Sequence, residues 1–236
     1  MHKDLVAKLR ADFPLLMHQG EENSFTRFGI EAGLGWFPII YELFAVCEDI
    51  QQRTGKAVQI SQIKEKFGSL RLYVNLPVDL MEEDIIEAIF ESLSTKICDI
   101  CGEPGSLGSI DGYWCTRCPD HRDMSSYSVD DERDLLKATR DRFIDYTREG
   151  LDTYGICYIR AERSGKDDGN AALKVYKLPD RILSLRDKSL IEQCDVSEHA
   201  GSPESLQEIV RDLKSKHKLL GCSDGSDEGR AVLDRL

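Results

Sequence analysis

The chain has no surplus of positive charge along its length. Over 236 residues, 31 Lys and Arg stand against 43 Asp and Glu, a formal net charge of −12. Residues 1–125 hold 12 basic side chains against 20 acidic ones, and the remainder holds 19 against 23. Neither half has the basic face that gains from counterion release on a phosphate backbone, so bulk nucleic acid is not an expected partner. No apolar run approaches the length of a membrane span. The opening MHKDLVAKLR reads as the start of an amphipathic helix, not as a secretory leader. Histidine is scarce: there are five, and none lies between His18 and His121. That gap excludes a zinc deaminase, which needs His-x-Glu upstream of Pro-Cys-x-x-Cys. A hydrophobic content of 41% with 31% charged residues describes a soluble globular chain, long enough for one large domain or two small ones.

Cysteine, by contrast, is present with a pattern. In CDICGEPGSLGSIDGYWCTRCPDH (98–121), the pairs Cys98/Cys101 and Cys115/Cys118 are followed by His121, the spacing of a tetrahedral zinc site. Each C-x-x-C brings two thiolates together from one tight turn, and Gly102 relieves crowding after the second cysteine. Ile110 and Trp114 are expected to cover the sulfurs. Two disulfides are the bland alternative. In a chain without an export signal, a reducing cytoplasm and a metal account better for these thiols. Five candidate ligands compete for four positions. Cys98, Cys101 and Cys118 belong to every sensible set; spacing symmetry favours Cys115 as the fourth, with His121 the alternative. Either set fills the shell with protein, which marks one structural Zn2+ rather than a catalytic one. A zinc-braced nuclease using Asp120-His121 would need a downstream asparagine and a second catalytic histidine that the pattern does not supply. Cys47, Cys157, Cys194 and Cys222 are scattered, and Cys47 falls on an apolar helix face as a small core residue.

Periodicity predicts a short helix within 1–18, with Leu5, Leu9 and Phe13 on one face. A strand is expected at 24–31, leading into the Gly33-x-Gly35 turn. Trp36, Ile39, Ile40, Leu43, Phe44, Cys47 and Ile50 recur at helical spacing, so 36–53 is a helix with Gly55 past its end. Strands at 57–66 and 69–76 flank Phe67-Gly68, and a helix follows at 80–95. The expectation for 1–122 is therefore an α+β domain: a small antiparallel sheet with two helices and a zinc knuckle. Polar 122–130 reads as a linker and 131–149 as a charged helix. An α/β C-terminal domain over 131–220 holds strands near 154–161 and 171–178, joined by SGKDDGN, and a helix begun by Ser202-Pro203-Glu204. Glycine-rich 221–236 reads as a flexible tail. Lys166 lacks the glycine spacing of a phosphate loop.

The segment KEKFGSLRLY (64–73) has two readings. Lys64, Glu65, Lys66 and Arg71 could pair across neighbouring strands, with Phe67 and Leu70 in the core. Alternatively Lys66, Arg71 and Tyr73 form an exposed recognition surface beside Glu31 and Trp36. Acidic runs at Glu21-Glu22, Glu82-Glu83-Asp84 and Asp130-Asp131-Glu132 sit at helix starts or loops, where they suit the helix dipole better than catalysis.

Three clusters, FGIEAGLGWF (28–37), KEKFGSLRLY (64–73) and CDICGEPG (98–105) continued by W-x-x-x-C-x-x-H (114–121), together resemble a group of small, mostly uncharacterised zinc-knuckle proteins of bacteria, prophages and phages. The resemblance covers about 25–122. It implies Cys98, Cys101, Cys118 and His121 as the shared ligand positions, with Cys115 outside the pattern, and it implies a phage or prophage association but no activity. The leading expectation is a cytoplasmic accessory protein that engages a host or defence protein by protein–protein binding. A degenerate metal-dependent nuclease or other hydrolase, and a nucleic-acid binder using the zinc module, are the alternatives from other classes.

Overall fold

The computed structural model describes residues 1–18, 20, 22–123, 151–152, 155–165, 169–182, 185 and 190–233. The linker expected at 122–130 lies almost wholly outside them, and the charged helix expected at 131–149 entirely so. The described residues divide into two compact units, 1–79 with 86–123, and 80–85 with 151–233.

In the first unit, helices α1 (Lys3–Asp12) and α2 (Pro14–Met17) bury Leu5, Leu9, Phe13 and Leu16. The strand expected at 24–31 is instead helix α3 (Ser24–Phe28) followed by the two-residue strand β1 (Ile30–Glu31). A capping box decides this: Asn23 Oδ1 accepts from Thr26 N at 2.9 Å, and Thr26 Oγ1 accepts from Asn23 N at 2.8 Å. Gly29, at φ +68, ends the turn. Helix α4 (Phe37–Thr54) buries the stripe Ile39, Ile40, Leu43, Phe44, Cys47 and Ile50 and stops at Gly55. Each such aliphatic side chain contributes about 1.5–3 kcal/mol on removal from water.

Strands β2 (Gln59–Lys66) and β3 (Ser69–Asn75) pair antiparallel, and β1 joins β2 in parallel to complete a three-stranded sheet. Ile60, Ile63, Leu70, Leu72 and Val74 face the core. The connecting turn has Phe67 at φ +53 and Gly68 at φ +74, the backbone of a two-residue hairpin loop that suits right-twisted strands. Phe67 is exposed rather than in the core, because its position in that loop directs it to solvent. Helix α5 (Leu80–Ser94) gives residues 80–85 to the second unit, and in the first it buries Ile86, Ile89, Phe90 and Leu93. A hairpin of β4 (Ser106–Ile110) and β5 (Tyr113–Arg117), turning at Asp111-Gly112, follows the first C-x-x-C.

The second unit holds a four-stranded sheet ordered β10-β8-β7-β11: β7 (Ile156–Arg163), β8 (Ala171–Lys177), β10 (Asp195–Gly201) and β11 (Lys218–Ser223). The first three form an antiparallel meander, and β11 lies parallel to β7. Strands β6 (Leu151–Asp152) and β9 (Arg181–Ile182) pair separately, and α6 (Leu190–Gln193) is a single turn. Helix α7 (Pro203–Lys216), with Pro203 in its first turn, connects β10 to β11, and α8 (Asp227–Leu233) follows. Alternate residues Cys157, Ile159, Ala161, Ala171, Leu173 and Val175 pack with Leu206, Val210 and Val232 in one cluster.

The flexible tail expected from residue 221 is ordered structure through Leu233. Its glycines serve close approach. A side chain at Gly221 would meet Ile159 O at 2.7 Å, and one at Gly229 would meet Ala161 O at 2.9 Å. Asp224 N donates to Ala161 O, and Asp224 accepts from Arg163 N, both at 3.0 Å.

Candidate metal centre

Cys98 and Cys101 lie on a tight turn closed by Gly102 N donating to Cys98 O at 3.0 Å. The hairpin β4–β5 returns the chain to this turn, placing Cys118 directly after β5. A 3-10 turn, Pro119–His121, then swings the imidazole inward, with His121 N bonded to Cys118 O at 3.1 Å. Cys98, Cys101, Cys118 and His121 are all buried, and their ligand atoms lie within 4.8 Å of one another. Cys101 Sγ is 3.7 Å from Cys118 Sγ, and His121 Nδ1 is 3.5 Å and 3.2 Å from the sulfurs of Cys98 and Cys118. Tetrahedral coordination, with metal–sulfur bonds near 2.3 Å and a metal–nitrogen bond near 2.0 Å, sets these edges at about 3.8 and about 3.5 Å. The four residues therefore fit a single metal ion.

The local chemistry favours thiolate at Cys98, while burial pushes the Cys118 thiol up. The Cys98 thiol is brought down to about 4, first by the hydrogen bond from the Cys101 thiol, with backbone N–H groups of Cys101, Cys118 and Ile100 adding to it against the effect of burial. Cys101 is pushed the opposite way as the donor of that bond. Charge on sulfur is what a cation needs from its ligands.

Cys115, favoured by spacing symmetry, is not among the four. It pairs with Gly108 in the middle of the hairpin, half-buried. A strand sends successive side chains to opposite faces, and the 3-10 turn after Cys118 brings His121 into the fourth position instead. Nor do Ile110 and Trp114 cover the sulfurs. Trp114 is 54% exposed and Ile110 lies beside it on the wall of an open cavity. Ile100, completely buried, packs with the three cysteines.

The three sequence clusters converge here. Gly35 N donates to Asp99 O at 2.9 Å, and a Cβ on Gly35 would stand 2.1 Å from Cys98 O and 2.5 Å from Gly102 N. Trp36, expected on an exposed recognition surface, is 0% exposed, and its Nε1 donates to Ile97 O at 2.8 Å. An aromatic with a satisfied N–H is a core pillar, not a contact for a partner. From KEKFGSLRLY, Gly68 O accepts from Thr116 Oγ1 at 2.6 Å, and a Cβ on Gly68 would meet Cys115 N at 2.7 Å.

The remaining residues of the expected surface do share one sheet face. Glu31 registers with Lys64, Lys64 with Arg71, and Gln62 with Tyr73. Arg71 is tied to Glu91 by an ion pair, Glu31 accepts from Gln62 at 3.1 Å, Lys64 lies over the Tyr73 ring, and Lys66 lies over Phe67. Cross-strand and local pairing thus engages much of this face.

Sequence reasoning passed over Asp99 and Arg117. Both are buried, with Arg117 Nε 3.0 Å from Asp99 Oδ1. Burial pushes the Asp99 carboxyl up to about 7 against the pull of the guanidinium. The available signal was positional: each is a charged residue immediately beside a ligand cysteine.

No family model, curated protein or solved structure matches this chain.

Proposed function

We propose that this chain is a phage- or prophage-associated accessory protein that works by protein–protein binding, with one structural Zn2+ holding its first unit. The observation that carries the reading is the closed ligand shell. All four donors are buried protein groups, which leaves no coordination position for water or substrate. His121, needed by a nuclease as a base, is committed to the ligand set. Around this centre, Phe67, Leu107, Tyr113 and Trp114 stand exposed on two hairpins, and large aromatic side chains presented on rigid elements are the usual anchors of protein interfaces. The phage or prophage association rests on the three sequence clusters, which meet at the centre. A net charge of −12 suits a cytoplasmic partner whose surface normally holds nucleic acid.

The test is cross-linking capture from host cells followed by mass spectrometry, alongside nuclease, protease and nucleotide hydrolase assays. Specific retention of one host or defence protein, with no turnover, is the expected result. Metal-dependent cleavage of DNA or RNA that is lost in His121→Ala while zinc is retained would overturn the reading in favour of a nuclease.

A further inference from the structure

In the second unit, β10 is an edge strand of the four-stranded sheet, and the ladder fixes which of its backbone groups are free. Leu178 N donates to Ile156 O at 3.1 Å and Ser164 N to Asn170 O at 2.9 Å, so the even-numbered residues of β8 bond toward β7. Successive residues of a strand bond to opposite sides. Ala171, Leu173, Val175 and Lys177 therefore turn toward β10, where they register without a bulge against Gly201, His199, Ser197 and Asp195. That leaves Val196, Glu198 and Ala200 directing their N–H and C=O groups away from the sheet. Among the described residues no hydrogen bond reaches those groups, and all three residues are exposed. On β3, the edge of the first unit's sheet, Leu70 N is instead taken by Ser94 Oγ at 2.8 Å. Devices that guard a free edge are missing from β10. It has no proline, lysine or bulge, and its central charge, Glu198, is engaged by Lys174 of its own sheet at 2.8 Å.

We propose that β10 pairs antiparallel with β10 of a second copy, joining two four-stranded sheets into one across a two-fold axis. Free backbone groups are what such an edge offers, and a strand is what complements them. The axis must pass a residue that faces itself, and the side chains select which one. Glu198 on the axis sets two carboxylates directly opposite each other, which destabilises an antiparallel pair. His199 on the axis opposes two imidazoles and brings no opposite charges together, while Val196 or Ala200 there shortens the overlap. Ser197 on the axis sets Asp195 against His199 of the copy on both sides of it, with two small hydroxyls between. As alternate residues, Asp195, Ser197 and His199 share one face of the strand, so these pairs meet side chain to side chain. Val196 and Glu198 then exchange N–H and C=O bonds with Glu198 and Val196 of the copy. This complementarity of the strand to itself favours a second copy over a foreign strand.

The experiment uses the metal-loaded full chain in sedimentation velocity, run from low to high micromolar concentration because a contact between two strands is small and its dimer weak. Wild type should pass from monomer to dimer as concentration rises. Glu198→Pro deletes an outward N–H and leaves the ladder to β8 whole. The two-fold counts that lost bond twice, so the dimer should weaken by about tenfold or more. Asp195→Lys and His199→Glu should each weaken it severalfold, and the double variant should regain wild-type association, because the opposed charges are restored in reverse. Under mild oxidation, Ser197→Cys should give a disulfide-linked dimer in excess of wild type, since position 197 stands opposite itself, whereas Ala200→Cys should not. Melting temperatures should match wild type in the charge variants, which carry the test if Glu198→Pro does not fold. A chain monomeric at every concentration, a dimer indifferent to a folded Glu198→Pro, or charge variants that the double does not rescue would each overturn the pairing. A host protein cross-linked to residues 195–201 in place of a second copy would overturn it as well, giving the edge to a foreign strand.

Discussion

The two units solve the same problem, enclosing a small core, by different means. In the second unit, alternate residues of β7 and β8 meet Leu206, Val210 and Val232 in a continuous apolar cluster, and stability is distributed over that packing. In the first unit, part of the core is a knot of Cys98, Cys101, Cys118 and His121, onto which Gly35, Trp36 and Thr116 are fastened by backbone and side-chain hydrogen bonds. Where order comes from packing, a single truncation is a local loss. Where it comes from ligation, removing one ligand releases every segment tied to the knot, since metal-binding energy in such sites is folding energy.

The largest expected effect comes from the ligands. Cys98→Ser or Cys118→Ser should abolish metal binding, which contributes about 10 kcal/mol or more in structural zinc sites. Hydrogen exchange read by mass spectrometry should show protection lost across 96–121 and retained in β7 and β8. Equal loss in both units would break the comparison. Next is Gly35→Ala, whose methyl would sit 2.1 Å from Cys98 O. We expect about 3 kcal/mol of destabilisation together with weaker metal retention against a chelator, although residue 35 touches no metal. Leu173→Ala, in the packed unit, should cost about 2–5 kcal/mol with no change in metal content. The smallest effect belongs to Cys115→Ala: metal stoichiometry stays at one per chain and stability changes by less than about 1 kcal/mol. In alkylation of the native protein, Cys115 should react while Cys98, Cys101 and Cys118 are shielded until a chelator is added. Cys47 should resist throughout, since burial pushes its thiol up to about 12. A Cys115 shielded until chelation would place it back in the ligand set.

What was legible in the sequence was local. The metal spacing lies within 24 consecutive residues, the helical stripe of α4 repeats without interruption, and Phe67-Gly68 separates two alternating runs, so each announces itself over a short window. What was not legible depended on distant partners. Trp36 looked available because nothing nearby shows that Ile97 O, 61 residues away, will take its N–H. Spacing symmetry pointed to Cys115 because the direction of its side chain is set by hairpin register, not by distance along the chain. Helix α3 won over a strand through the Asn23–Thr26 reciprocal bonds, a signal that was present but outweighed by Phe25, Phe28 and Ile30. Glycine misled at the C-terminal end. Composition cannot distinguish a glycine that loosens the chain from one that lets two backbones touch, as Gly221 and Gly229 do.

The turn at Phe67 carries one more consequence. A bulky side chain at φ +53 holds a conformation that costs an L-residue about 1–2 kcal/mol, and its ring is left in solvent, where it gains little packing. Phe67→Asn would place the most favoured dipeptide for this loop, Asn-Gly, at 67–68 and should raise the melting temperature. Position 67 is therefore a thermal brake that the chain keeps applied, and releasing it offers a sturdier scaffold on which the neighbouring surface can be dissected one residue at a time.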